Sequence, residues 1–138
     1  MSAVPTTSGF TTIALVDPAC IDGESSLSCI RDRDQHVLVI TLLNGPSTAI
    51  SPTSALDVGA AWQYLDRVAE RIGRDGRTVG TIVASGPDPA YELALVAIEH
   101  DADRVVFPTS VLRLDRRAPH RLARLAPVAI EAPLLLVG

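Results

Sequence analysis

Short apolar runs rich in β-branched residues alternate along this chain with segments of helical periodicity. That alternation limits the fold more than any other feature of the sequence. Residues 10–16 (FTTIALV), 37–43 (VLVITLL), 78–84, 104–107 and 133–137 read as strands, each bounded by turn residues. Between the second and third of them, Leu65, Val68, Ala69 and Ile72 recur at helical spacing, with Trp62 one turn earlier and Gly73 at the natural stop. Ser54 with Asp57 three residues on approximates a capping box for this helix. A second helix is expected after Asp88-Pro89: Asp88 is a good N-cap, and Pro89 suits the first helical position, where a missing N–H costs nothing. Ala90, Leu93, Ala94, Ala97 and Ile98 form its inward face. Residues 119–126 make a short last helix.

Strands that alternate with helices imply a mostly parallel sheet, and right-handed crossovers then give a doubly wound α/β layer of five strands. The segment between the first two strands is the exception. Asp22-Gly23 interrupts it, so residues 24–31 supply only about two helical turns where a full crossover helix is usual. The chain of 138 residues fits one domain: a loose Ser/Thr/Pro-flavoured tail over residues 1–9 and an α/β domain over 10–138.

Charge and composition narrow the function. All 12 basic residues are arginine, against 16 acids and a net charge of −4, which argues against nucleic-acid binding. The absence of lysine removes Schiff-base chemistry and any P-loop lysine. It also removes the lysine that a phosphoacceptor receiver domain needs at its last strand. Cys20 and Cys29 fit no zinc-ligand spacing, and His36, His100 and His120 are scattered. No G-x-S-x-G, Walker or G-x-G-x-x-G motif occurs. No signal peptide or membrane-spanning run is read, so a cytoplasmic location is expected.

The second half carries a family signature. Gly86-Pro87-Asp88-Pro89-Ala90, then Ala97, Ala102-Asp103 and Val105-Val106, resembles the third-to-fourth-strand segment of the universal stress proteins. Ile13-Ala14-Leu15-Val16-Asp17 is similar to that family's first strand with its terminal aspartate. Ala132-Pro133-Leu134-Leu135-Leu136-Val137 stands where members show a Cys-Pro-apolar ending. The resemblance implies strand order 3-2-1-4-5 and homodimerisation through the last strand, here Leu134, Leu135, Leu136 and Val137. ATP-binding members follow the fourth strand with a glycine-rich phosphate loop. This chain instead has Pro108-Thr109-Ser110-Val111-Leu112-Arg113-Leu114, and no glycine between Gly86 and Gly138. Glycines let backbone N–H groups approach a phosphate, whereas Pro108 removes a donor and Val111 and Leu112 crowd the space. A degenerate member, non-catalytic, without a nucleotide cofactor held by the standard loop, is the expectation.

Two candidate sites follow. Parallel sheets bind ligands at the switch point beyond their C-terminal strand ends, which that strand order places between the first and fourth strands. Asp17, Asn44, Ser85, Gly86, Thr109 and Ser110 would surround it, either to hold a small polar ligand such as a nucleoside or merely to cap loops. The second candidate is the arginine-rich connector. Arg113, Arg116 and Arg117 could replace glycine N–H donors with guanidinium forks for phosphate or for a partner's carboxylates. Arg117, Arg121 and Arg124 can share a helix face. The plain alternative is a solvated face paired to Asp115 and Glu131. Three functions remain open: a non-catalytic binding or regulatory module, a nucleotide-binding protein using Asp17 and the arginines, or a structural subunit docking on a larger complex.

Overall fold

The computed structural model describes residues 10–18, 22–43, 58–74, 76–86 and 88–133. Five strands form one all-parallel sheet: β1 (Thr11–Leu15), β2 (His36–Leu43), β3 (Thr78–Ser85), β4 (Arg104–Val106) and β5 (Ala129–Glu131). Their spatial order is β3-β2-β1-β4-β5. Among the described residues, four helices accompany them: α1 (Val58–Gly73), α2 (Pro89–Glu99), α3 (Thr109–Leu114) and α4 (Ala118–Leu125). Between β1 and β2 the one regular element among the described residues is a 3-10 turn, Ser25–Cys29, in place of a full crossover helix.

Strand side chains alternate between faces, and the two faces hold separate cores. Ile13, Leu15, Ile40, Val105 and Phe107 pack with Leu93, Ala97, Val111 and Leu122 of α2, α3 and α4. Ala14, Val16, Val37 and Val39 point the other way, against Leu65, Val68 and Ile72 of α1. Full burial of side chains the size of Leu93 or Leu122 contributes about 1.5–3 kcal/mol each. In α1 the buried line runs Ala61, Leu65, Val68, Ile72, and Trp62, one step off it, is exposed. In α2, Val96 is buried and Ile98 is 60% exposed, reversing the expectation for Ile98.

The start of α2 follows the expected chemistry. The Asp88 carboxylate accepts from the Ala90 N–H at 3.2 Å, and Pro89 opens the helix. Its end is a Schellman-type closure. The Ala102 N–H donates to the Ala97 carbonyl at 2.9 Å, the Asp101 N–H to that of Ile98 at 3.4 Å, and Asp101 takes φ +53°. Aspartate fills the left-handed position that glycine usually occupies.

Two boundaries differ from the sequence reading. The strand paired with β4 is Ala129–Glu131, in register Arg104↔Ala129 and Val106↔Glu131, not residues 133–137. Pro127 follows Ala126, where the last helix has ended, so the Pro-apolar ending begins there, six residues before the second proline, Pro133. Leu134, Leu135, Leu136 and Val137 lie outside the described residues, as do Ser54, Asp57, Cys20 and the 1–9 tail. The arginine-rich stretch is not an open connector either. It folds as α3, a tight turn at Asp115–Arg117, and α4.

Candidate functional site at the switch point

β1 lies between β2 and β4, so the chain leaves β1 and β4 in directions that open a crevice beyond their C-terminal ends. In this chain the interrupted connector enters that space. The Asp17 N–H donates to the Gly23 carbonyl at 2.9 Å, which turns the connector back over the end of β1. Ser26 Oγ donates to the Leu15 carbonyl at 2.6 Å. From the other side, α3 begins directly after buried Pro108, and its first residue meets the connector. The Thr109 N–H donates to Ser25 Oγ at 2.8 Å, and Thr109 Oγ1 donates to Asp22 Oδ2 at 2.8 Å. The two hydroxyls are 3.1 Å apart. Arg113 Nη1 completes the set, 2.6 Å from the same Asp22 oxygen.

Asp22, Ser25, Thr109 and Arg113 therefore form one bonded bridge across the switch point. The first N–H of α3 and the Arg113 guanidinium, groups that would recognise an anion, are already engaged by a hydroxyl and a carboxylate. The bridge is anchored behind. Tyr64 of α1 donates to Glu24 Oε2 at 2.7 Å, and Arg71 donates to the other Glu24 oxygen. Partial burial of Glu24 opposes its ionisation, but these two bonds outweigh that and hold its carboxyl below the usual range. Burial and the Glu24 charge push the Tyr64 hydroxyl well above its ordinary range, and Asp17 adds to the effect.

The structure thus unites Thr109 and Arg113, but with Asp22 and Ser25, which the sequence reading did not select. The only signal for them was the Asp22-Gly23 interruption. Ser110 is buried, and its hydroxyl has no partner among the described residues. Ser85 ends β3 and Gly86 follows it, and β2 separates that strand from β1. Gly86 has φ +153°, a conformation that L side chains rarely adopt, which accounts for glycine at this position; a Cβ there would meet only the movable end of the Glu92 side chain. Asn44 lies outside the described residues. Arg116 and Arg117 are exposed in the turn before α4. Asp115 pairs within the arginine stretch, to Arg121, whereas Glu131 pairs with Arg31 and Arg104.

Among the described residues, no group of three His, Cys, Asp or Glu side chains could hold a metal ion, and no helix is long and apolar enough to cross a membrane.

No family model matches the sequence, and no curated protein matches it. The fold does match solved structures. The universal stress protein UspA from Lactobacillus plantarum superposes with a TM-score of 0.64 at 13% identity, over 93% of this chain and 100% of that one. The hypothetical protein PH0823 gives 0.63 at 16% identity, over 90% and 95% of the two chains. A universal stress protein in complex with cAMP gives 0.53 at 16% identity, over 91% and 97%. The chain has the universal-stress-protein fold.

Proposed function

We propose that this chain is a non-catalytic binding or regulatory module, homodimeric, in which the nucleotide crevice of the universal-stress-protein fold has been converted into a structural joint. The bridge of Asp22, Ser25, Thr109 and Arg113 carries this reading. An incoming phosphate would have to displace a carboxylate and a hydroxyl already bonded to the donors it needs. Pro108 and the glycine-free stretch that follows offer no other backbone cradle. Homodimerisation is supported by β5, the edge of the sheet among the described residues, since an edge strand offers backbone groups for a second copy to pair. Calorimetric titration with Mg-ATP, AMP and cAMP tests the reading: no binding is expected, and a low-micromolar dissociation constant for any of the three would sink it.

The cAMP complex of a protein with this fold favours a second reading, in which Asp17, Arg113, Arg116 and Arg117 hold a nucleotide. The same titration decides between them.

A further inference from the structure

We propose that the outer face of α4 is a binding site for a small multivalent phosphorylated anion, distinct from the bridged switch point. Arg117, His120, Arg121 and Arg124 line a cavity of 490 Å3. That volume is within the range of small-molecule sites. Their offsets of three, four and seven residues place them on one side of the helix, spanning about 10 Å along its axis at the usual helical rise.

The central guanidinium is fixed. Arg121 Nη2 lies 2.6 Å from Asp115 Oδ2 and 2.8 Å from Asp88 Oδ1, and Nη1 donates to Asp115 Oδ1 at 3.2 Å. The flanking pair is different. Arg31, Arg71, Arg104 and Arg113 each hold a carboxylate, but Arg117 and Arg124, like the exposed Arg67, Arg74 and Arg116 elsewhere, have none among the described residues, and of these only Arg117 and Arg124 flank a cavity. In a protein with more acids than arginines, these two cations remain unpaired on either side of a third.

Helix physics does not account for them. A cation near a helix C-terminus is favourable, which suits Arg124, but Arg117 is the N-cap of α4, where the dipole disfavours positive charge. The first turn of α4 itself contains no acid, and the one carboxylate at its start, Asp115, is shared between the Arg117 and Ala118 N–H groups and Arg121. Like charges three and four residues apart further weaken a helix. An anion in the groove relieves these repulsions together. Guanidinium forks match phosphate oxygens in pairs, and the two that hold no carboxylate, Arg117 and Arg124, stand about 10 Å apart along the helix, a span that fits a di- or triphosphate group rather than a single carboxylate, with Arg121 held between them by Asp115 and Asp88. None of the four residues is bonded to Asp22, Ser25 or Thr109, so the site does not depend on the bridge being open.

Calorimetry on the full chain in low-salt buffer, with inorganic tripolyphosphate as the probe and citrate as comparator, tests the proposal. The expected result is one tripolyphosphate per chain, weakened about tenfold or more in the double variant Arg117→Ala, Arg124→Ala. The melting temperature of that variant without ligand should not fall, because both side chains are exposed and their removal relieves the repulsion along α4. Arg113→Ala should keep full affinity. Absence of binding at millimolar probe, equal affinity in the double variant, loss on Arg113→Ala instead, or citrate binding as tightly would each overturn it.

Discussion

Arg104 Nη2 lies 2.6 Å from Asp34 Oδ2, and both side chains are sealed from solvent, at 1% and 0% exposure. The pair sits where a crossover helix would otherwise cover β1 and β4. Asp34 Oδ1 accepts from Thr12 Oγ1 at 2.7 Å, and Oδ2 also accepts from the Arg31 N–H at 2.7 Å. Arg104 also donates to the Cys29 carbonyl at 3.1 Å, and its Nη1 is 2.7 Å from Glu131 Oε2. One charged network thus ties β1, β4, β5 and the connector together in the place of an apolar helix face. Such a network stabilises only while every member has its partner.

Replacing Arg104 with methionine should therefore destabilise the fold by about 3–5 kcal/mol, since it strands the Asp34 charge in the interior. The double variant Arg104→Met, Asp34→Asn should recover much of the loss, because asparagine removes the charge while its Oδ1 accepts from the Arg31 N–H and its Nδ2 donates to Thr12 Oγ1. Urea unfolding of the three proteins checks this. Equal midpoints for the single and double variants would show that the charge itself is unimportant.

Acid should unfold the protein through a small set of carboxylates. Burial opposes ionisation of Glu131, but Arg104 and Arg31 outweigh it and hold its carboxyl below the usual range. The hydrogen bond from Arg121 does the same for Asp115. A depressed folded-state pKa means that the unfolded chain binds the proton first. The stabilisation is complete above the unfolded values of about 3.9–4.3 and is lost as pH falls through the lower folded values. Glu131→Gln should flatten the acid limb of a Tm–pH curve. An unchanged slope would remove Glu131 from the explanation.

Asp101→Gly should stabilise the protein by up to about 1 kcal/mol, since φ +53° strains a residue with a Cβ and the closing bonds of α2 use only backbone. The larger unfolded-state entropy of glycine offsets part of this gain. A fall in Tm would mean that the Asp101 side chain contributes a contact of its own.

Ser25→Ala should cost about 1–3 kcal/mol by leaving the Thr109 N–H without its acceptor. It should not create nucleotide affinity, because Asp22 still holds Thr109 and Arg113. Thermal unfolding with and without Mg-ATP reads both effects, and a nucleotide-dependent rise in Tm for the variant would contradict the second.

Sedimentation should find a dimer at tens of micromolar, an order-of-magnitude choice set by common affinities. Leu135→Lys, in the apolar segment that the family resemblance assigns to the interface, should shift it to monomer. A wild-type monomer at that concentration would exclude the homodimer.

The strands, their parallel pairing and the α2 cap were legible in the sequence because they depend on local periodicity and local bonding. Continuous apolar runs announce buried strands, and Asp88-Pro89 announces a helix start whatever surrounds it. The position of β5 was less legible: two Pro-apolar endings follow one another, and only pairing with β4 selects the first, at Ala129–Glu131. The missing crossover helix could be read from Asp22-Gly23, but not what takes its place. Asp34 and Arg104 are 70 residues apart, and Asp22 and Thr109 are 87 apart. No local pattern marks such partners, since each looks like an ordinary surface charge or hydroxyl until the sheet order brings the strand ends together. The fold class was thus determined by sequence periodicity, whereas the closing of the switch point was decided by tertiary structure, because a polar group's role depends on which partner the fold places within hydrogen-bonding distance.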